Sequence, residues 1–134
     1  MSIADLFNEI ALEMQKHMVK EERVLFPLVK EMEDADRSLQ TLAPRKFGTV
    51  RSPIRMMEHE HDNAGSVMRK IRKLSYDYTA PDHACHTFRV AYAELEEFEN
   101  DLHEHIHLEN NILFPKATAL EKKISLTQSV NRGE

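Results

Sequence analysis

Apolar residues recur on one helical face in three blocks of the chain. In the first block Ile3, Phe7, Ile10 and Met14 are followed by Val24, Leu28 and Met32, each close to a multiple of one helical turn. The spacing predicts a helix over about 3–33, opened by Ser2 and Asp5 in a capping-box arrangement. Pro27 falls inside it, where it removes a backbone hydrogen bond and is expected to kink the axis. From Asp34 to Ser52 the period fails, with Pro44 and Gly48 interrupting it, so this stretch is expected to be an irregular connection. Ser52-Pro53 predicts a helix start, an N-cap followed by proline at the first helical position. The second helix, about 53–77, carries Ile54, Met57, Ala64, Met68 and Ile71, and Gly65 is expected to allow close approach of a neighbouring helix. Pro81-Asp82 marks the next boundary, with Asp82 as cap. The third helix, about 82–123, shows Phe88, Tyr92, Leu95, Phe98, Leu102 and Ile112, and it contains Pro115 as the first contains Pro27. The expected fold is all-α, a bundle of three long helices forming one domain over 1–123, with a polar, fraying tail over 124–134.

Five polar residues keep phase with these apolar stripes: His17 and Glu21 on the first helix, His61 on the second, His105 and Glu109 on the third. An inward carboxylate or imidazole must be paired, hydrogen-bonded or metal-bound, because an isolated buried charge costs several kcal/mol. Two of the pairs are copies of one another. HMVKEERVLFP, starting at His17, and HIHLENNILFP, starting at His105, agree at five of eleven positions without a gap. Each copy sets a histidine and a glutamate one turn apart on one face. A single H-x-x-x-E is common on solvated faces, but a repeated one on facing helices can converge on a point. Imidazoles and carboxylates so arranged form a ligand set for two transition-metal ions, iron first among them. Ferritin-like bundles use the reverse order and closer spacing, Glu-x-x-His, and are richer in carboxylates, so oxygen-rich iron storage ranks second. His59 lies about 200° around the helix from His61 and is expected outside the site, as are His103 and His107, at the surface or behind the ligands. His83 and His86 flank Cys85 and could form a small thiol site; a partly buried structural cysteine is the preferred reading.

The bulk properties narrow the function. With 134 residues, 41% of them hydrophobic, the chain is long enough for one packed core, and three glycines and five prolines leave room for long helices. The net charge of −5 and the run Glu94, Glu96, Glu97, Glu99, Asp101, read as a solvated face, leave no basic stripe for nucleic acid. No apolar run is long enough to span a membrane and no signal-peptide pattern opens the chain, so a cytoplasmic protein is expected. One cysteine allows neither an internal disulfide nor a thiolate-rich metal site within the chain.

EHDNAG around His61, the stretch IRKLSYDYTAPDHAC, and above all DLHEHIHLENNILFP resemble the hemerythrin-like domain of the iron–sulfur cluster repair di-iron proteins of the YtfE/ScdA type. The resemblance covers nearly the whole chain. It implies that His17 and His61 are terminal ligands of one iron, His105 of the other, and that Glu21 and Glu109 bridge both. The family's role is repair of iron–sulfur clusters damaged by nitric oxide or peroxide. Its domain has four main helices, the first bringing another histidine, and usually follows a small cysteine-containing domain. This chain begins at what matches the second helix, so the resemblance implies a missing ligand beside His105.

The leading expectation is therefore a di-iron stress-response protein with iron–sulfur proteins as clients, acting by redox or iron transfer. Two others stand beside it: a hemerythrin-like module that binds or senses O₂ or NO without repair, and a metal-free helical interaction protein. A bundle short of one helix should leave an apolar seam, expected along Ile10, Met14, Met57, Met68, Leu95 and Phe98, and a homodimer is expected to close it.

Overall fold

The computed structural model describes the backbone of residues 1–38 and 50–131, with the side chains of 1–37 and 50–125. Three long helical rods make up the fold. The first consists of α1 (Ile3–Lys20), a π-helical turn (Glu21–Leu25) and α2 (Phe26–Ser38); the second is α3 (Arg51–Leu74); the third is α4 (His86–Leu108), a second π-helical turn (Glu109–Leu113) and α5 (Phe114–Asn131). Among the described residues there is no strand. The expected connection containing Pro44 and Gly48 lies largely outside the described residues.

Local chemistry explains most of the boundaries. Asp5 N–H donates to Ser2 Oγ at 3.1 Å while Ser2 N–H donates to the Asp5 carboxylate at 3.2 Å, which completes the capping box. The start of α3 differs from the expectation. Val50, not Ser52, is the N-cap residue, and its N–H donates at 2.8 Å to Glu121 of α5, so Pro53 sits in the first turn, where its missing N–H is harmless. That helix stops at Leu74, short of 77, because Tyr76, Asp77 and Tyr78 all have positive φ, at 50°, 60° and 59°. Left-handed backbone costs a non-glycine residue roughly 1–2 kcal/mol. The buried Ser75 holds the turn: its Oγ donates to Arg72 O and accepts from Tyr78 N–H. Arg72 also pairs with Asp77, lies over the Tyr78 ring, and donates through Nε to Glu99 of α4 at 2.9 Å. Glu99 is 1% exposed, so one member of the acidic run expected on a solvated face is an interior partner instead. α4 begins at His86, not Asp82. Ala84 N–H closes a turn onto Pro81 O, Arg89 donates to the carbonyls of Pro81 and Asp82, and Cys85 takes the extended N-cap position. α5 runs through Asn131, past the boundary expected at 123, and Ile124 is buried.

Both π turns precede a proline by the same distance. Phe26 N–H bonds to Glu21 O, and Phe114 N–H bonds to Glu109 O, so the ladder skips to a five-residue step just before Pro27 and Pro115, whose nitrogens have no hydrogen to give. The step inserts one residue into the helical phase. Val24 and Ile112, expected on the inner stripe, are therefore both 42% exposed, while Leu25 is fully buried and Leu113 packs against the core.

Two apolar clusters result. At one end Leu6 and Ile10 of α1 meet Ala64, Val67, Met68 and Ile71 of α3 and Leu102 of α4. At the other, Leu25, Met32 and Ala35 meet Val50, Ile54 and Met57 and, from α5, Phe114, Ala117 and Ile124. The early part of each rod thus packs on the late part of the next, which makes neighbouring rods antiparallel. Each buried Leu, Ile or Met contributes roughly 1.5–3 kcal/mol. The expected seam is accordingly narrower than the sequence implied. Ile10, Met57 and Met68 are interior, whereas Phe7, Met14, Leu95 and Phe98 are half-buried and Phe88 is exposed. Gly65 also departs from expectation, because the atom nearest to a Cβ built there is Arg69 Nη1 of the same helix at 3.4 Å, not a neighbouring helix.

Candidate metal centre

Between the two apolar clusters lies a polar layer one helical turn thick. On α3 it is His61, with Met57 a turn below and Ala64 a turn above. On the first rod His17 ends the α1 stripe and Glu21 opens the π turn; on the third, His105 and Glu109 do the same. The repeated sequence therefore produces a repeated backbone, with each glutamate at the start of a wide turn and its histidine four residues earlier. All five expected residues come together. One ligand-type atom from each lies within 4.8 Å of all the others. His17 and Glu21 are fully buried, His61 and Glu109 nearly so, and the His105 side chain is 27% exposed, which makes its flank the side open to solvent.

The contacts within the layer run both along and between rods. His17 Nε2 stands 2.7 Å from Glu21 Oε1, and His105 Nε2 stands 2.7 Å from Glu109 Oε1. Glu109 Oε1 also approaches His61 Nε2 at 3.0 Å and His17 Nε2 at 3.6 Å, and Glu21 Oε1 lies 3.4 Å from His105 Nε2. Despite these short separations, both Glu21 oxygens, Glu109 Oε1 and His105 Nε2 make no hydrogen bond of acceptable geometry. Buried polar atoms are almost always hydrogen-bonded, and four unsatisfied ones facing a common space fit a cation that takes their lone pairs. The two fully enclosed imidazoles point the same way. His17 Nδ1 is engaged by Glu60 Oε1 and His61 Nδ1 by Asn110 Oδ1, each at 2.8 Å, so each Nδ1 carries the hydrogen. Their Nε2 atoms then face one another at 3.1 Å as two lone pairs, an arrangement that calls for a proton or a metal ion between them.

In the metal-free form that cation is a proton. Burial works against charge on His17, but the carboxylates of Glu109, Glu21 and Glu60 outweigh it and raise its pKa from 6.5 to about 10. Glu109 and Glu21 likewise lift His105 to about 9, against the effect of burial. Burial opposes ionisation of Glu109, yet His105, His17 and His61 together hold its carboxyl far below the ordinary range. A metal entering the layer displaces these protons, which ties its affinity to pH.

Several groups around the layer were not legible as site residues. Glu60 and Lys20 form an ion pair at 2.5 Å beside His17, and Asn110 backs His61. Glu60 and Asn110 each adjoin a ligand in sequence, but nothing in their spacing distinguishes them from solvated polar residues. Phe114, placed inward by the second π turn, stacks nearly parallel to the His61 ring at 5.8 Å and floors the layer. His59, His103 and His107 are exposed, as expected of residues outside the site, and His107 accepts from Asn111. His83, Cys85 and His86 are all exposed at the turn before α4, so Cys85 is not the partly buried structural cysteine expected of it; that turn carries no core contact to cover it. Among the described residues no helix is long and apolar enough to cross a membrane.

A helical bundle whose interior carries three imidazoles and two carboxylates at one level, with unsatisfied atoms facing inward, defines an all-α protein with a nitrogen-rich metal-binding layer. The profile of the hemerythrin HHE cation binding domain matches residues 2–117, and the chain belongs to that family. Among curated proteins it is 40% identical over 115 residues to the "Iron-sulfur cluster repair protein YtfE" of Pectobacterium carotovorum subsp. carotovorum (strain PC1), and 43% identical over 116 residues to the protein of the same name from Dickeya chrysanthemi (strain Ech1591). The Edwardsiella ictaluri (strain 93-146) protein, also so named, is 42% identical over 115 residues. Each match covers 86% of this chain and 46% of the relative, so the chain spans about half the length of the curated relatives it matches.

Proposed function

We propose that this chain holds two iron ions in its polar layer and serves, in the cytoplasm, in the repair of iron–sulfur clusters damaged by nitric oxide or peroxide, with iron–sulfur proteins as its clients. The observation that carries the reading is the convergence of His17, Glu21, His61, His105 and Glu109 with four buried ligand atoms left without hydrogen bonds. The names of relatives at 40–43% identity supply the biological role. Iron bound there would provide redox chemistry and a releasable metal. The protein's own contribution is to hold Glu21 and Glu109 between the two positions, to set His17 and His61 at one and His105 at the other, and to leave the His105 flank open to a small ligand such as NO or O₂. Nitrogen-rich ligation with carboxylates suits iron that changes oxidation state. The test is to add the iron-loaded protein to an iron–sulfur enzyme inactivated by NO and to follow recovery of its activity. Recovery that the Glu109→Ala variant cannot give is the expected result. A reversible spectral change on adding NO or O₂ without recovery would instead mark a binding or sensing module, and absence of iron after purification would leave a helical interaction protein.

The same reading includes a homodimer. Phe7 and Phe98 pack edge to face at 5.5 Å, and with Met14 and Leu95 they form a half-buried apolar row between α1 and α4, extended by exposed Phe88 and Val90. Burying that row against a second copy removes apolar surface from water. Light scattering after gel filtration should give twice the chain mass of 15.6 kDa; a monodisperse monomer with two irons per chain would show that one copy suffices.

A further inference from the structure

The two enclosed imidazoles have different partners behind them, and the difference is one of charge. His17 Nδ1–H donates to a carboxylate, Glu60 Oε1, at 2.8 Å; the other oxygen of that carboxylate is held by Lys20 Nζ at 2.5 Å. Lys20 and His17 lie one turn apart on α1 and Glu60 lies on α3, so a single carboxylate ties both residues of the first rod to the second. A further link on the same helix pair, Asn63 Nδ2 to Glu13 at 2.6 Å, fixes the rods' spacing just beyond the layer. His61 Nδ1–H donates instead to a neutral amide, Asn110 Oδ1, also at 2.8 Å, from the π turn of the third rod. Equal distances with unequal charge mean that the two rings are oriented equally well but polarised differently. A carboxylate on Nδ1–H pushes electron density toward Nε2; an amide does so far less.

We propose that Glu60 and Asn110 are the positioning residues of the metal layer, fixing His17 and His61 in the tautomer that presents the Nε2 lone pair inward, and that Glu60 makes His17 the stronger donor of the two. The inference rests on the reading of the layer as a metal site. It gives Glu60 and Lys20 a role that their places on a partly exposed helix surface do not announce. The unequal backing also means that His61 is the ligand more easily released of this pair, while Glu60 keeps His17 engaged.

Cobalt(II) is a suitable probe, because it reports on histidine ligands through both its visible spectrum and the shifted, solvent-exchangeable Nδ1–H resonances in proton spectra. Glu60→Gln keeps the shape and a hydrogen-bond acceptor while removing the charge, and should weaken cobalt binding about 10- to 100-fold, the usual range for partners behind a metal ligand. It should move the His17 Nδ1–H resonance and leave that of His61 in place. Asn110→Asp should do the reverse, tightening cobalt and moving only the His61 resonance, and the double variant should return toward the wild-type affinity. Thermal melting of the metal-free variants separates a folding defect from a ligand effect, and Asn110→Asp carries the test if Glu60→Gln fails to fold. Unchanged affinity and an unmoved His17 resonance in Glu60→Gln, or resonances of both rings moving together in either variant, overturn the proposal. A wild-type protein that binds no cobalt or iron sinks the metal-layer reading itself, and this inference with it.

Discussion

Replacing Glu109 with alanine should strip the protein of most of its iron, whereas replacing Glu104, five residues earlier, should leave iron content close to that of the wild type. Glu109 Oε1 lies within 3.6 Å of the Nε2 atoms of His17, His61 and His105, so it is the one oxygen in reach of all three imidazoles. Glu104 is exposed. A change behind a metal ligand commonly costs 10- to 100-fold in affinity, and removing a carboxylate shared by both ions should cost more than about 100-fold. Alanine also leaves three raised-density imidazoles facing one another with one counter-charge fewer, so the loss falls on both positions together. Iron counted per chain by atomic absorption after desalting settles the matter: equal retention in the two variants would remove Glu109 from the ligand set.

Removing the metal should lower the melting temperature and reverse the dependence of stability on pH. With free metal at about 100 times its dissociation constant, binding stabilises the folded state by about 2.7 kcal/mol. For a domain of this size that corresponds to roughly 10 °C. In the metal-free protein His17 and His105 have folded pKa values of about 10 and about 9, above the ordinary 6.5 of the unfolded chain. Their contribution is therefore complete below pH 6.5 and disappears as pH rises through 9 to 10. Glu109, whose carboxyl is held far below its ordinary 4.5, contributes above that value and loses its contribution only in stronger acid. The metal-free protein should consequently weaken steadily from neutral pH toward pH 10. The loaded protein should lose metal, and with it stability, as acid returns protons to the same nitrogens. Calorimetric scans of both forms at pH 6, 8 and 10 compare the two trends directly. Identical melting temperatures with and without metal would place the binding site outside the folded core.

The helices and the five polar residues of the layer were legible because both obey one period. A residue that must face inward on a straight helix is found by counting, and His17, Glu21, His61, His105 and Glu109 are all reached by counting from apolar neighbours. Counting fails where the period changes. Val24 and Ile112 were expected inside and lie outside, since each follows the first residues of a π turn and a π turn adds a step that composition does not announce. Pro27 and Pro115 carried a signal, but a proline inside a helix predicts a disturbance without saying which kind. The stop of α3 was hidden for a different reason: three non-glycine residues with positive φ are intrinsically disfavoured, and what holds them is a set of tertiary contacts from Ser75, Arg72 and Glu99. Glu99 shows the same limit from the other side. A glutamate in an acidic run is interior here only because Arg72, distant in sequence, reaches it.

The two π turns also separate what the chain's length controls from what its composition controls. Deleting one residue from 21–25 would restore an ordinary helical step and swing everything beyond it by about 100° relative to His17. Met32 and Ala35 would then leave the lower core, or else the two ligands of the first rod would turn toward solvent. An insertion or deletion in either wide turn is therefore a different class of lesion from any substitution nearby, because it decouples the bundle's lower half from its upper half without changing a single ligand.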